Sequence, residues 1–226
     1  MKMKITILMI LVASLSSCII SLDSITGSGN VVSEVRNLNY DGVISSVEQN
    51  TLCDVTIAIG SAETMVIEAE QNLIPYIQTS VSGGKLVIST RNNKQLIPTK
   101  PIRATVILKQ INGIVLNGSG DINASDINDS SVQVQLNGSG NIKLSGYSDY
   151  LTTKLCGSGN IDAKDLISSY VTAETTGSGN TKVYASKTLN AAISGSGDII
   201  YYYNFFSGSP YVVETKTGSG RVLIGF

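Results

Sequence analysis

The chain of 226 residues has no histidine, and its four arginines, Arg36, Arg91, Arg103 and Arg221, are scattered. Without histidine there is no nucleophile–base–orienter set of the Ser-His-Asp kind and no Cys/His zinc site. Basic charge is also in short supply. Lysine and arginine total 16 against 17 aspartate and glutamate, a formal net charge of −1. Nucleic-acid binding calls for a basic footprint, so that class is set aside. Cysteine is limited to Cys18, Cys53 and Cys156. An oxidising compartment would permit a Cys53–Cys156 bridge, but the sequence does not say that the two meet. Two free thiols, buried or half-buried, are the expectation.

What the chain has instead is a repeat. Gly-Ser-Gly recurs at 118–120, 138–140, 157–159, 177–179, 195–197 and 218–220, in steps of 20, 19, 20, 18 and 23 residues, with an outlier at 27–29. A near-constant period is the signature of a repeat architecture. Four residues after the first glycine stand Ile122, Ile142, Ile161, Thr181, Ile199 and Val222; two before it stand Leu116, Leu136, Leu155, Thr175 and Ile193. Around both positions apolar and polar residues alternate, as half-buried strands do. Two such strands cannot bury their apolar face alone. Stacked on copies of themselves they can. The expected fold is therefore all-β: a right-handed parallel β-helix, or solenoid, with coils of about 20 residues.

The corners fall at Gly118, Gly120, Gly138, Gly140, Gly157, Gly159, Gly177, Gly179, Gly195, Gly197, Gly218 and Gly220. Corners often need positive φ, which suits glycine. The Asp or Asn that follows each (Asp121, Asn141, Asn160, Asn180, Asp198) is expected to hydrogen-bond its own turn. Outward residues stack as well: Lys154 with Glu174, and Lys143 with Asp162 and Lys182. Two other readings of the motif fail. A dinucleotide loop needs a third glycine and a following helix, and the calcium-binding nonapeptide needs a period of nine.

Residues 1–18 read as a lipoprotein signal peptide. Lys2 and Lys4 precede the apolar run Ile5–Val12, and Leu15-Ser16-Ser17-Cys18 resembles a lipobox, whose cysteine is lipidated. Two or more acyl chains anchor a protein stably. Ile19 follows the cysteine and no acidic cluster comes next, so nothing looks like an inner-membrane retention aspartate, and the expected location is a lipid-anchored one at the outer membrane, on a side left open. Removing residues 1–17 takes away two lysines and leaves a formal net charge of −3. Residues 19–26 would be a short tether and 27–226 the β-helical domain, with 117–226 its regular repeats. Residues 27–116 are less regular. Strands are expected near 42–47, 53–59, 64–69, 85–90, 104–109 and 114–116, and a turn at Ser82-Gly83-Gly84. Ile67, Ile88 and Ile107 lie 21 and 19 apart, which suggests further coils of the same solenoid; a separate antiparallel sheet is the alternative.

The array ends in Tyr201-Tyr202-Tyr203-Asn204-Phe205-Phe206, followed by Ser207-Gly208-Ser209-Pro210-Tyr211. Solenoid ends need caps, and a cap is one reading of this insertion. The other is a sugar-stacking or partner-binding patch, with Tyr202, Tyr203, Phe206 and Tyr211 as binding residues.

Several stretches together resemble the putative auto-transporter adhesin head-GIN domain family of bacterial envelope proteins. They are Gly27-Ser28-Gly29-Asn30-Val31-Val32, Cys53-Asp54-Val55-Thr56-Ile57, Ile67–Leu73, Gly84-Lys85-Leu86-Val87-Ile88 and Ile111–Ile122. The resemblance implies a β-helical lipoprotein and suggests adhesion, and it implies no catalytic residue. The expectation is a non-catalytic, lipid-anchored binding module for a glycan or an envelope protein, without cofactor or metal. The alternative is a periplasm-facing structural or sensory lipoprotein. A polysaccharide-acting enzyme is the weakest reading. The acidic pairs Asp126/Asp129 and Asp162/Asp165 read as loop polar residues. Solenoid ends can also stack between chains, so an end-to-end homodimer is open.

Overall fold

The computed structural model describes residues 23–91 and 94–226. Residues 1–18, and with them the lipidation candidate Cys18, lie outside the described residues. Seventeen strands run in order: β1 Ser24–Thr26, β2 Val31–Asn37, β3 Ser46–Gln49, β4 Asp54–Ile59, β5 Thr64–Glu70, β6 Ile77–Ser82, β7 Lys85–Thr90, β8 Gln95–Ile97, β9 Arg103–Leu108, β10 Gly113–Leu116, β11 Ile122–Leu136, β12 Ile142–Leu155, β13 Ile161–Thr175, β14 Thr181–Ile193, β15 Ile199–Tyr202, β16 Tyr211–Lys216 and β17 Val222–Ile224. Short 3-10 turns occupy Ile74–Tyr76 and Phe205–Ser207.

The regular half is a parallel β-solenoid. Each coil stacks on the next in register, so Ile122, Ile142, Ile161, Thr181, Ile199 and Val222 form one continuous ladder. Leu116, Leu136, Leu155, Thr175 and Ile193 form a second. Both ladders point inward and are fully buried through most of their length. In one coil the aliphatic pair is replaced by Thr175 and Thr181. Their hydroxyls lie 3.0 Å apart and satisfy each other inside the core. Each of β11–β13 also bends between its two faces, where the register shifts at bulges. Asp126, at φ 59°, and Gly146, at φ 132°, sit at such bends.

The Gly-Ser-Gly corners work differently from the expectation. Positive φ occurs at Gly29, Gly83, Gly84, Gly146 and Gly208, and so at none of the twelve repeat-corner glycines. The reason for glycine there is close approach. Ser158 N–H donates to Gly138 O at 3.2 Å, and Ser178 N–H to Gly157 O at 3.2 Å, so one corner's backbone rests on the next. A Cβ on Gly159 would lie 1.7 Å from Gly140 O. The following Asp and Asn also act between coils rather than within their own turns. Asp121 Oδ1 accepts from Asn141 N–H at 2.7 Å, Asn141 Oδ1 from Asn160 N–H at 3.1 Å, Asn160 Oδ1 from Asn180 N–H at 2.9 Å, and Asn180 Oδ1 from Asp198 N–H at 2.8 Å. This is an amide ladder running along the solenoid edge.

The N-terminal half joins the same stack, but out of chain order. β10 pairs with β3, and β3 with β7, all parallel; β11 pairs with β4, and β4 with β9, again parallel. The coil made by residues 46–59 therefore lies between two coils made later in the chain. Antiparallel strands then close this end: β6 on β7, β5 on β9, and β2 on β5. Both sequence readings hold in part, a solenoid core with an antiparallel cover. The Ile67, Ile88, Ile107 spacing does not mark equivalent positions, since Ile67 lies in antiparallel β5 and the other two in one coil. Where the early coil lacks Gly-Ser-Gly, the buried Gln49 bridges its corner, donating to Thr51 O at 3.1 Å and Cys53 O at 2.6 Å. Residues 24–26, expected to be tether, form β1 and pair in parallel with β8.

Cys53 and Cys156 are unpaired. Burial pushes the Cys53 thiol up to about 12. Cys156 is exposed rather than buried, because it sits at an outward corner position just before Gly157. Lys154 and Glu174 are neighbours in register, as are Lys143, Asp162 and Lys182. The contacts within 4 Å among the described residues lie elsewhere, in Glu34–Arg36, Glu48–Lys85, Asp23–Lys94 and Asp198–Arg221.

Candidate functional site

The C-terminal end of the solenoid differs from the N-terminal end in having no antiparallel cover. β16 pairs with β14, and β17 with β15. Between β15 and β16 the chain leaves the coil in a loop built on the Phe205–Ser207 turn. Asn204 Oδ1 accepts from Phe206 N–H at 3.0 Å and fixes that turn. The two phenylalanines stand off the fold with exposures of 79% and 97%, edge to face at 6.3 Å. Tyr211 is 72% exposed, and Phe226 is wholly so.

Phe205, Phe206 and Tyr211 project into solvent, where a cap would bury its rings. The remaining rings support them. Tyr201 and Tyr203 stack at 6.1 Å, and both are half-buried. Burial, with the neighbouring Tyr203, pushes the Tyr201 hydroxyl above the ordinary tyrosine range. Tyr202 lies against the chain end, where a Cβ on Gly225 would come within 2.3 Å of its ring. Of the four expected binding residues, Phe206 and Tyr211 are thus exposed, while Tyr202 and Tyr203 form the half-buried base. Phe205 and Phe226, outside that set, are exposed as well. Asp198 pins the last corner by accepting from Arg221 N–H at 2.8 Å and pairing with its guanidinium at 2.9 Å. The arginine holds this carboxyl below the usual carboxylate range.

A second aromatic surface lies on the side of the solenoid. Tyr147 and Tyr150 follow the bend of β12 at Gly146 and are 62% and 55% exposed. In the next coil Ile167 neighbours Tyr147, and Tyr170 neighbours Tyr150. Tyr150 and Tyr170 stack at 5.1 Å with planes 16° apart, and Lys187 Nζ sits 5.3 Å from the Tyr170 centroid. A shallow groove of about 300 Å³ runs beside Tyr147, with Asn128, Asp129 and Asp149 in its lining. Sequence alignment on the preceding glycine hides the tyrosine pair, because the coils differ in length by one residue. Counting back from the following corner reveals it: Tyr150 and Tyr170 each stand seven residues before a Gly-Ser-Gly.

The most strongly shifted carboxyl among the described residues is Glu70, at the covered end of the solenoid. It is held at about 2 by hydrogen bonds from the Thr99 hydroxyl and the backbone N–H groups of Gly29, Thr99 and Lys100. Its oxygens are occupied in tying Gly27–Gly29 to the Pro98–Lys100 loop. Among the described residues no group of three or more Asp, Glu, His or Cys is placed to hold a metal ion. No described helix is long and apolar enough to cross a membrane.

The architecture has solved counterparts. A putative adhesin from Bacteroides fragilis NCTC 9343 superposes with a TM-score of 0.69 at 22% identity, over 89% of this chain and 100% of its own. A putative lipid-binding protein from Parabacteroides distasonis ATCC 8503 gives 0.52 at 22% identity, over 90% of this chain and 100% of its own. At these identities the likeness is one of fold. No curated protein matches the sequence. The family model described as putative auto-transporter adhesin, head GIN domain, matches residues 44–204. That span takes in the interleaved coils, the regular array and the start of the aromatic loop, and the chain belongs to this family.

Proposed function

We propose that the chain is a lipid-anchored envelope protein whose β-solenoid holds a non-catalytic binding surface at its far end, an adhesin for a glycan or a protein. One observation carries this reading: the exposed rings of Phe205, Phe206 and Tyr211 lie at the end of the solenoid opposite β1. β1 belongs to the covered end through its pairing with β8. From β6 to β16 one face stacks nine strands, about 38 Å at the usual strand spacing. Lipidated at Cys18, only six residues before β1, the protein would stand with its covered end at the membrane and its aromatic end outward. Exposed apolar clusters of this kind mark interaction sites on folded proteins.

The test has two parts. Protease added to intact cells, with a C-terminal tag and a permeabilised control, reads the exposed side. Loss of the tag on intact cells is expected for an adhesin; loss only after permeabilisation would instead favour the periplasm-facing structural or sensory role. On the purified protein, Phe205→Ser/Phe206→Ser should abolish adhesion to host-cell or bacterial surfaces while leaving the melting temperature unchanged. Unchanged adhesion in that variant would remove the distal end as the binding surface.

A further inference from the structure

We propose that the lateral tyrosines form a second binding site, for an uncharged oligosaccharide, independent of the distal end. The stack of rings on this side is unfinished. Tyr170 has one face against Tyr150 and the other beneath Lys187. Tyr150 has only one face covered, because the coil on its other side places Ser131 at the equivalent position. Tyr147 is in the same situation, with Asn128 as its neighbour in that coil. Two tyrosine faces therefore look onto small polar residues, across a coil spacing of about 4.8 Å. A flat apolar face of a sugar ring can continue the stack where the next aromatic side chain is missing.

The polar side of the site fits the same ligand. Small-molecule sites pair aromatic surface with a few convergent polar groups that fix orientation. Here Asn128 offers both a donor and an acceptor, and Asp129 and Asp149 offer acceptors for hydroxyl groups. The groove lining contains no lysine or arginine, and the nearby Lys187 is engaged over Tyr170. Two carboxylates with no facing cation disfavour uronic and sialic acids by like-charge repulsion. The chemistry that remains is a neutral glycan, lying along the groove with one ring against Tyr147, which lines it, and another reaching the open face of Tyr150 beside it.

The experiment is a glycan array that carries uncharged oligosaccharides beside sialylated and uronate-containing ones, with decaproline as a peptide ligand for aromatic surfaces. Signal is expected on uncharged glycans alone. The strongest of them is then titrated in solution by intrinsic tyrosine fluorescence, which is readable because the chain has no tryptophan. Tyr147→Ala and Tyr150→Ala should each weaken binding about tenfold, the scale of losing one stacking platform. Both side chains are exposed, so thermal melts should confirm intact folding. Phe205→Ser/Phe206→Ser should leave the affinity unchanged. The proposal is overturned by an absence of bound neutral glycan, by a preference for acidic sugars or decaproline, or by full affinity in both tyrosine variants. Loss of the signal in the phenylalanine variant alone would move the glycan to the distal end. That outcome overturns the lateral site and leaves the adhesin reading standing.

Discussion

Thr153 is the one case among the described residues of a buried side-chain oxygen without a hydrogen-bond partner. It faces the core between Val134 and Ala173, its neighbours in register. Thr175 and Thr181, one coil away, avoid the same cost by pairing with each other. Valine has nearly the shape of threonine without the hydroxyl, so Thr153→Val should stabilise the protein by about 1 kcal/mol. Chemical denaturation reads this as a higher midpoint at unchanged slope, and a lower midpoint would mean that the hydroxyl has a partner in solution. The corner glycines predict the opposite sign. A methyl group at Gly159 would have to displace the Gly140 carbonyl, and Gly159→Ala should cost about 3 kcal/mol, the upper end of overpacking. A loss below 1 kcal/mol would show that the corner can open. The need for glycine was legible in the repeated tripeptide, but its reason was not. Sequence spacing reveals where a chain turns, whereas the distance between successive turns depends on how the coils nest.

Among the elements, Glu70 ties the turn between β1 and β2 to the Pro98–Lys100 loop, beside the β1–β8 and β2–β5 pairings. A carboxyl held at about 2 in the fold and near 4.5 in the unfolded chain binds fewer protons when folded. Its contribution is therefore fully present above about pH 4.5, declines as the pH falls, and is gone near pH 2. Hydrogen exchange of the β1 and β2 amides should accelerate between pH 4.5 and 2.5, relative to β12 and β13, beyond the intrinsic pH effect. Glu70→Gln should show that acceleration already at pH 7. Equal protection at both pH values would remove Glu70 as the fastening. The elements themselves were largely readable: the hairpin at Gly83-Gly84 and β7 fall where turn residues and alternation place them. Their order in the stack was not. Insertion of the 46–59 coil between later ones leaves no trace in periodicity, because β3 and β4 alternate in the same way whichever neighbours they pair with.

At the scale of the whole molecule, the inward ladder that runs from Leu116 to Ile193 ends in a charge. Where β14 carries Ala191 and Ile193, β16 carries Glu214 and Lys216. A further coil, or the end of another copy, would have to bury both charges, and inward-pointing charges are a known guard on free strand edges. This bears on the end-to-end homodimer. We expect the native chain to remain unpaired at β16, and Glu214→Ala/Lys216→Ile to self-associate through it. Sedimentation velocity over a range of concentrations distinguishes the two. A monomeric double variant, or a native dimer disrupted by a bulky charge on β16, would refute the guard. The distal site was half legible for a related reason. Composition reveals a run of rings, but their exposure depends on whether a coil lies above them, which the order of the residues does not state.

The displaced coil also has a bearing on how the chain comes into being. Synthesis delivers residues 46–59 early, yet both of their parallel neighbours, β7 with β9 and β10 with the start of β11, are still untranslated at that moment. A nascent chain of this kind cannot build its solenoid from the first residue onward. Its earliest coil waits with both edges open until β7 and β9 have emerged, and with one edge still open until residue 124 has followed, so the coil made first is closed only after two later ones exist.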